Sequence, residues 1–595
     1  MSGWLAVRTA RVEADPLAPA RSRAGPDAAE WKSDDGLSAL LAWRRTSGEH
    51  RYSGRLLPGL PGGRVAWVGL CLEDGGESTS EAARTLLSPT DARLAGLNGE
   101  FAAAVCSPSG ELVATTDRHG HYPVYLVRGP GFVAASTDAS VAFAFLDRVR
   151  FDPEAVDFLL RCGELLEDRT PLKDVVLLPP ASSVRLAPGA PFRPSRYWRL
   201  RHAGDAALDL EDATNGLGER LRSASRRIER AGVRLVAPLS GGLDSRLIVG
   251  LCENPERVPT FTWGADGCRD LRYAEMFAAR VGSPHRSIEL RPEDYPEVWA
   301  RGVVAAGGCV GIRDMYILPF APLLARAGDV ALNGLAGDAF LGGNFLKRAW
   351  LNAPTLDALA DATWAWRTPE PEIALTAGLA EGGPPPGAAR ETWARSLRAR
   401  DAGGRPIETL VDWLLENRVF RFTNAGTQLL RTAVESYSPF FDRDVVDLLV
   451  KVPLEARLKH RLYFAILRRF CPAAAAVPWQ RTALAPRWGF AASLASLAFH
   501  RGARALGRRF GLNPFPAQAV ASPADWFRGP WAAPARALLF DARTLERGLL
   551  RPDGLLRLWD AHQSGADVSR ALGVAIGLEL FAREVADKIL AEKGS

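Results

Sequence analysis

The sequence predicts a mixed α/β protein with a β-rich N-terminal domain, a second domain built on a parallel sheet, and a helical C-terminal part. Between about residues 63 and 145, short apolar segments rich in β-branched and aromatic residues alternate with turn residues. After about residue 205, helical patterns alternate with short strand-like segments, which is typical of a parallel α/β sheet. Helical spacing dominates from residue 407 to residue 592.

Composition narrows the class of protein. The 595 residues are 47% hydrophobic and 24% charged, as in an ordinary globular protein. The net charge of +6 is small for this length and is spread along the chain, so it does not favour a nucleic-acid partner. Seven cysteines without a CxxC pair argue against a disulfide framework or a zinc ribbon. No signal peptide or membrane span is evident, and we expect a cytoplasmic enzyme.

The first domain is expected to span residues 1–190. Its first 60 residues are irregular, rich in alanine, arginine, proline and glycine, and predict no defined element. His119 and His121 alternate beside Asp117, which would place both imidazoles on one face of a strand and permit a metal site. Three ligands so close in sequence are geometrically awkward, so we favour a plain strand.

The second domain is expected to span residues 213–592, after a linker at residues 191–212 that is rich in proline and glycine. An amphipathic helix with apolar residues at helical spacing precedes a buried strand at residues 233–239. Residues 367–405 contain GGPPPGAAR and predict an exposed insertion.

The most informative motif follows that buried strand, which ends at Leu239. Two glycines permit a tight turn that approaches a ligand closely, and the loop amides with the following helix N-terminus can cradle an anion. The carboxylate in the loop would repel phosphate unless Mg²⁺ bridged the two, so the motif predicts a metal–pyrophosphate site. The alternative is a glycine-rich turn in which the carboxylate caps the helix. The motif consists of Ser240, Gly241, Gly242, Leu243, Asp244 and Ser245.

This strand–SGGLDS–helix unit resembles the pyrophosphate loop of the N-type ATP pyrophosphatases, most closely that of asparagine synthetase. FTWGADGCRDLRYAEMFAARVGSPHRSIEL, ALNGLAGDAFLGGNF and ESYSPFFDRDVVDLLVKVP are similar to later segments of that family. LNGEFAAAVCSPSGELVATTDRHGHYPVYLV is similar to its N-terminal amidotransferase domain. The likeness covers roughly residues 90–590. It implies a degenerate Ntn-amidotransferase-like domain followed by an adenine nucleotide α hydrolase-like (PP-loop) domain.

The resemblance implies an ATP-dependent, AMP-forming ligase that uses ATP and Mg²⁺. Family members activate a carboxylate by attack on the ATP α-phosphate, release pyrophosphate, and let an amine open the acyl-adenylate. This resemblance implies that the loop at residues 240–245 holds the pyrophosphate and that Asp244 and Asp338 hold Mg²⁺. For Asp338 the alternative is a carboxylate that caps a turn in a glycine-rich, flexible lid, because such a lid would have a similar sequence. The residues expected to contact the adenosine are Leu239, Trp263, Asn333 and Gly334.

Four further residues have weaker assignments. Arg481 lies near the position of a family lysine that stabilises charge during adenylation, although arginine and lysine differ in geometry. Glu435 is a candidate base for the amine proton, with a salt bridge as the alternative. Asp270 would orient the nucleotide or cap a helix, and His285 matches a family histidine or is a solvated loop residue.

The sequence also departs from the family. The N-terminal cysteine nucleophile is missing, since Ser2 follows Met1, and the glutamine-binding segment is missing as well. In the second glycine-rich loop, Leu335 and Ala339 replace two acidic residues. The missing nucleophile and glutamine-binding segment predict loss of glutamine hydrolysis. The residues expected to bind ATP and Mg²⁺ are retained, whereas those expected near the acyl substrate and the amine (the acceptor side) are altered, which predicts a different acyl substrate or amine.

These features favour a glutamine-independent ligase comparable to β-lactam synthetase or a lasso-peptide cyclase, which closes a macrolactam. We expect a small-molecule or peptide carboxylate, a possible precursor peptide or maturation-partner protein, and neither nucleic acid nor membrane. The alternatives are an asparagine synthetase using ammonia or glutamine, and a catalytically silent nucleotide-binding homologue. A tRNA-modifying relative is disfavoured by the modest charge and the missing CxxC.

Overall fold

A computed structural model describes residues 1–11, 15–44, 54–58, 63–86, 90–205, 207–368, 370–509, 520–589 and 591. The expected end of the second domain, residue 592, lies outside the described residues. The fold class predicted from the sequence is confirmed, since a β-rich N-terminal part precedes a parallel α/β sheet and a predominantly helical C-terminal part.

The N-terminal part is built on antiparallel strands. In chain order these are β1 (Gly3–Thr9), β2 (Ala29–Lys32), β3 (Ser38–Trp43), β4 (Arg55–Pro58), β5 (Arg64–Glu73), β6 (Gly76–Glu77), β7 (Gly99–Cys106), β8 (Leu112–Thr116), β9 (Tyr125–Gly129), β10 (Phe132–Ser136), β11 (Val175–Leu177), β12 (Ser182–Leu186) and β13 (Ser195–Arg196). Its helices are α1 (Ala18–Ala24), α2 (Thr79–Thr85), α3 (Asp91–Gly96), α4 (Ala139–Phe143) and α5 (Pro153–Cys162).

These strands form two sheets that pack face to face. One has the order β11-β9-β10-β1-β3-β2, and the other has the order β13-β12-β8-β7-β5-β4 with β6 beside β5. Trp4 and Leu40 from the first sheet meet Val68 and Ala104 from the second in a shared apolar core. The outer face of the first sheet packs against helices that include α1 and α4, and that of the second against α2 and α3. The domain therefore has four layers.

The expectation that residues 1–60 are irregular is wrong. Strand β1 lies in the middle of its sheet, between β10 and β3, and Trp4, Leu5, Ala6 and Val7 are all buried. Both faces of this strand are covered, so its sequence lacks the apolar–polar alternation that marks a half-exposed strand.

The second domain is built on five parallel strands in the order β16-β15-β14-β17-β18. They are β14 (Leu235–Pro238), β15 (Thr260–Gly264), β16 (His285–Glu289), β17 (Val330–Leu332) and β18 (Glu435–Tyr437). Its helices are α6 (Leu210–Arg230), α7 (Leu243–Gly250), α8 (Arg269–Val281), α9 (Pro296–Ala305), α10 (Ala321–Ala327), α11 (Leu356–Arg367), α12 (Glu370–Thr376), α13 (Ala388–Arg398), α14 (Pro406–Trp413), α15 (Asn424–Leu430), α16 (Arg443–Leu449), α17 (Leu454–Arg457), α18 (Arg461–Phe470), α19 (Pro472–Ala475), α20 (Gly489–Arg509), α21 (Pro523–Trp526), α22 (Ala532–Leu539), α23 (Ala542–Glu546), α24 (Pro552–Gln563) and α25 (Ser569–Phe581).

The expected exposed insertion at residues 367–405 is also wrong. It contains α12 and α13, and the Trp393 side chain of α13 is fully buried against Trp413, with ring centroids 4.4 Å apart. The residues Ala389, Trp393 and Leu397 recur at helical spacing and face the core. The neighbouring proline- and glycine-rich segment obscured this short pattern in the sequence.

The predicted linker, residues 191–212, is held by both halves of the chain. Strand β13 pairs with β12, and His202 hydrogen-bonds to Asp412 of the second domain. Its last three residues already belong to α6. Across the described ranges, no helix has the length and apolar character required to cross a membrane.

Candidate active site

The carboxyl ends of β14 and β17 lie side by side, and each continues into one of the two glycine-rich loops. This edge of a parallel sheet is where α/β proteins usually bind ligands. The loop after β14 leads into α7, whose N-cap is Gly242 and lacks a side-chain cap. Asp244 therefore does not cap this helix, which removes the alternative explanation for its place in the motif.

Side chains already occupy three amides of the first loop. The Ser240 N–H donates to Ser245 Oγ at 3.0 Å, and the Gly242 N–H donates to Ser240 Oγ at 3.1 Å. The Gly241 N–H donates to Asp270 Oδ1 at 3.0 Å. The loop therefore offers an anion fewer N–H donors than the motif suggested. Its available donors are the uncapped first-turn amides of α7 and the two serine hydroxyls, whose oxygens lie 3.1 Å apart.

Arg246 supports the loop from the side of the protein interior, and no sequence pattern predicted this role. The side chain is fully buried, and its Nε and Nη2 donate to the carbonyl oxygens of Gly242 and Gly241 at 2.6 and 3.0 Å. Its Nη1 donates to the Val477 carbonyl at 3.1 Å. Burial lowers the pKa of this guanidinium to about 10. Because the carbonyl groups of the glycines bond inward to Arg246, the conformation of the loop is fixed before any ligand binds.

Two carboxylates from the two loops meet at the sheet edge. The Asp338 N–H donates to Asp244 Oδ2 at 3.0 Å, and the Tyr463 hydroxyl donates to Asp244 Oδ1 at 2.6 Å. On its other side Asp338 contacts His460 Nε2 at 2.7 Å and Arg481 Nη2 at 3.0 Å. Burial and the neighbouring Asp338 carboxylate raise the pKa of Asp244, while His460 and Arg481 help to lower the pKa of Asp338.

The donor set of this pair fits Mg²⁺. Burial of Asp244 beside a second carboxylate is unfavourable unless a cation compensates it, as its raised pKa indicates. Within the described ranges no cluster of three or more histidine, cysteine or acidic side chains could hold a metal. A site with only two carboxylates suits Mg²⁺, which takes its remaining ligands from water and substrate phosphates.

The four residues expected at the adenosine lie along the same edge. The Leu239 N–H donates to the Phe261 carbonyl at 2.8 Å, and the Asn333 N–H donates to the Tyr437 carbonyl at 2.8 Å. The Trp263 indole stacks on Phe320, which leaves it partly buried. Leu239 and Asn333 therefore lie where β14 and β17 end, next to the two glycine-rich loops.

Gly334 lets the second loop approach the first closely. A Cβ atom at this position would lie 2.8 Å from the Ser245 nitrogen and 3.0 Å from the Asp244 carbonyl carbon. Only a residue without a side chain permits this approach.

Two of the weaker assignments have different outcomes. Asp270 does not cap α8, whose N-cap is Cys268, but instead binds the loop amide of Gly241. His285 begins β16 and pairs with Thr260 at the start of β15, which is the opposite edge of the sheet from the loops. The structure therefore brings Asp270 to the site and leaves His285 away from it.

Glu435 lies in the contact between the two domains. Its Oε2 accepts a hydrogen bond from the Tyr122 hydroxyl at 2.6 Å and lies 3.9 Å from Arg431 Nε. The residue begins β18, level with Val330 at the start of β17, and is therefore not at the end of the strand that carries the loops. Its surroundings are those of a buried salt bridge, which was the alternative, and they do not support Glu435 as the base for the amine proton.

His119 and His121 belong to a turn that the Asp117 carboxylate stabilises. The Asp117 carboxylate accepts hydrogen bonds from the amides of Phe101, His119 and His121, and His121 Nδ1 lies 2.9 Å from it. A carboxylate with so many hydrogen-bond partners orders its turn. Residues 117–122 lie in the turn between β8 and β9, so the strand that we expected at this position is not present.

Comparison with known proteins identifies the second domain. Residues 216–478 match the family model for asparagine synthase. No curated protein matches the sequence. Among solved structures, the chain is similar to glutamine phosphoribosylpyrophosphate amidotransferase from B. subtilis complexed with ADP and GMP, at 11% identity and a TM-score of 0.23. It is also similar to a structure described as the allosteric regulatory enzyme of purine biosynthesis, at 10% identity and a TM-score of 0.23.

Each of these alignments covers 40% of this chain and 60% of the solved one, so the chain spans less than two thirds of their length. The asparagine synthase match rests on the part of the chain that carries both glycine-rich loops, Asp244 and Asp338. That family comprises ATP-dependent amide-forming ligases. Residues 216–478 therefore form an asparagine synthase-like domain.

Proposed function

We propose that this protein is an AMP-forming amide ligase that activates a carboxylate as an acyl-adenylate without using glutamine, and that its substrate is a peptide closed into a macrolactam. One observation carries the proposal. The two glycine-rich loops bring Asp244 and Asp338 together, with His460 and Arg481 on the side of Asp338 away from Asp244.

Asp244 and Asp338 would hold Mg²⁺, which when bound would neutralise phosphate charge and assist the departure of pyrophosphate. The first-turn amides of α7 and the hydroxyls of Ser240 and Ser245 bind the pyrophosphate portion. They stabilise the charge that develops as the bond to the α-phosphorus breaks. Because Arg246 fixes the loop, these donors need little reorganisation during the reaction.

Arg481 is placed to act on the acyl side. Its guanidinium bonds to Asp338, lies over the Trp479 ring at 5.2 Å, and keeps 48% of its side chain exposed. A cation that is anchored at one end and open at the other can contact the substrate carboxylate as it attacks the α-phosphate. His460 fixes the other oxygen of Asp338, so the position of the pair does not depend on the substrate.

Two apolar residues, Leu335 and Ala339, stand where the family resemblance leads us to expect acidic residues at the acceptor side. Leu335 packs against the apolar core, and its carbonyl accepts a hydrogen bond from the Ser438 hydroxyl at 3.1 Å. Ala339 also packs against that core. Neither residue can form an ion pair with the ammonium group of aspartate, which supports a substrate other than free aspartate.

The N-terminal domain supports independence from glutamine. Asn98 Nδ2 donates to Asp442 Oδ2 at 2.9 Å, and Glu100 pairs with Arg431 at 2.6 Å and accepts the Ser438 N–H at 2.7 Å. These polar groups join the two domains and are not available to bind an amide substrate. All seven cysteines are buried free thiols, which fits the cytoplasm we propose as the compartment.

The experiment is product analysis with MgATP and purified full-length protein. It compares aspartate with ammonia, aspartate with glutamine, and acidic peptides that carry a free amine. The proposal expects AMP, pyrophosphate and a cyclised peptide, with the same yield in the Ser2→Ala variant and no glutamate from glutamine. Asparagine formation would instead show an asparagine synthetase. ATP binding without AMP release from any of these substrates would show a silent homologue.

A further inference from the structure

A large cleft opens beside Asp338. It has a volume of about 810 Å³, and His460 and Arg481, which bond to the Asp338 carboxylate, both line it. One end of the cleft therefore reaches the candidate reaction centre. A single small amino acid would leave most of this volume to water, because sites of several hundred Å³ suit far larger ligands.

One wall of the cleft is apolar. Phe490, Leu494 and Leu497 of α20 recur at helical spacing and line it together. Leu494 is 43% exposed and is therefore accessible to a ligand in the cleft. Leucines from the segments before α11 and α18 complete this surface, namely Leu346, Leu351 and Leu458.

The rim of the cleft is basic. Arg348, Lys459 and Arg461 line it and are exposed, and within the described part of the chain none of them forms an ion pair. Among the described residues that line the cleft, Glu455 is the one carboxylate, and it is paired with Arg405 at 2.7 Å. The cleft therefore carries an excess of positive charge and is complementary to an acidic ligand.

Backbone strain lies at the same place. Lys459 and His460 have φ values of 59° and 60°, a region that residues with side chains rarely adopt. This turn places the Lys459 ammonium 5.6 Å from the centre of the Phe490 ring and the His460 imidazole against Asp338. Two consecutive strained residues thus link the basic, apolar cleft to the carboxylate pair.

We propose that this cleft binds an extended peptide segment that is both apolar and acidic and that carries the carboxylate to be activated. The proposal rests on the proposed function and names its substrate class. Asn344 and Asn352 also line the cleft and offer amide groups to a peptide backbone. A fatty acyl chain would suit a continuous apolar tunnel better than an open cleft with these amides and a basic rim.

The test is fluorescence anisotropy with full-length protein and three labelled octapeptides. One contains leucine, phenylalanine and glutamate, the second has lysine for glutamate, and the third has serine for the apolar residues. We expect the first to bind at least about tenfold more tightly than the others. Leu494→Glu and Arg461→Glu should each weaken its binding about tenfold. The matched control is Leu556→Glu on α24, where the leucine is 48% exposed, and it should change nothing.

Equal affinity for the three peptides would overturn the proposal, and so would cleft variants that behave like Leu556→Glu. Displacement of the first peptide by dodecanoate at similar concentration would assign the cleft to acyl chains instead. AMP release is measured in the same samples. Peptide binding that depends on the cleft, without AMP release, would overturn the ligase and leave the docking site. AMP release from aspartate without peptide binding would overturn the docking site and leave the ligase.

Discussion

Replacing Arg246 with methionine should loosen the phosphate loop, although Arg246 itself would not touch the nucleotide. The change removes three hydrogen bonds from a buried charged donor, to the carbonyls of Gly241, Gly242 and Val477. Each such bond contributes about 1.5–3 kcal/mol. Methionine also removes the unfavourable burial of the guanidinium, which offsets much of that sum. We therefore expect the loop to open more easily by about 3 kcal/mol.

Hydrogen-exchange mass spectrometry of residues 235–252 measures this directly. A change of about 3 kcal/mol corresponds to roughly 100-fold faster exchange of protected loop amides. MgATP should also bind more weakly, because its donors are no longer fixed in place. Arg487→Met is the matched control, since Arg487 is exposed and lies over Trp488, away from the loop carbonyls. Exchange in Arg246→Met within about threefold of wild type would refute the reasoning.

Three further predictions concern the loops, the acyl side and the interior. Gly334→Ala should weaken MgATP binding at least about tenfold, because the new methyl group pushes the two loops apart. The control is Gly426→Ala, where the added Cβ meets open space and MgATP affinity should not change. Calorimetry measures the affinity of both variants. Arg481→Met should slow AMP release about 100-fold in the product assay and leave MgATP affinity within about twofold of wild type. Burial lowers the pKa of His119 to about 3, whereas the pKa of a histidine in the unfolded chain is about 6.5. Below pH 6.5 the unfolded chain therefore binds a proton that the folded protein does not bind, so the free energy of unfolding decreases as the pH is lowered. From pH 7.5 to pH 5, denaturant unfolding should therefore show wild type losing about 2 kcal/mol more than His119→Gln, and an equal loss in the two would contradict this account.

The first loop and its surroundings could be predicted because their signals are local. The buried strand, the two glycines and the helix that follows are contiguous in sequence, and β14 and α7 lie within one or two residues of the expected positions. Asp338 was found through the family likeness, not through any local rule. The structure adds that its backbone amide holds the Asp244 side chain directly.

The rest of the site depends on contacts between distant parts of the chain. Tyr463 and His460 reach the two carboxylates from positions 219 and 122 residues away, and the sequence around them reads as an ordinary amphipathic helix. Arg246 lies inside a helix, where an arginine normally faces solvent. For Glu435 the sequence predicted a catalytic base where the structure has a buried structural contact. Its carboxylate is bound by Tyr122 and lies close to Arg431, and neither contact is visible in the local sequence.

The missed strand β1 has a related cause. Its two faces are covered by other elements, and coverage is a tertiary property that short sequence windows do not contain. Where one face stays exposed, as on the amphipathic helix α6, the spacing of apolar residues is enough to predict the helix.

Our proposal requires above all that Asp244 and Asp338 hold Mg²⁺ against the phosphates of ATP. Calorimetric titration of ATP into wild type and Asp244→Asn, with and without Mg²⁺, tests it without knowledge of the second substrate. Asparagine is nearly isosteric and can still accept the Tyr463 hydrogen bond, so the fold should persist, as circular dichroism would verify. The account predicts that Mg²⁺ strengthens ATP binding at least about tenfold in wild type and less than about twofold in the variant. Equal dependence on Mg²⁺ in the two proteins would contradict it.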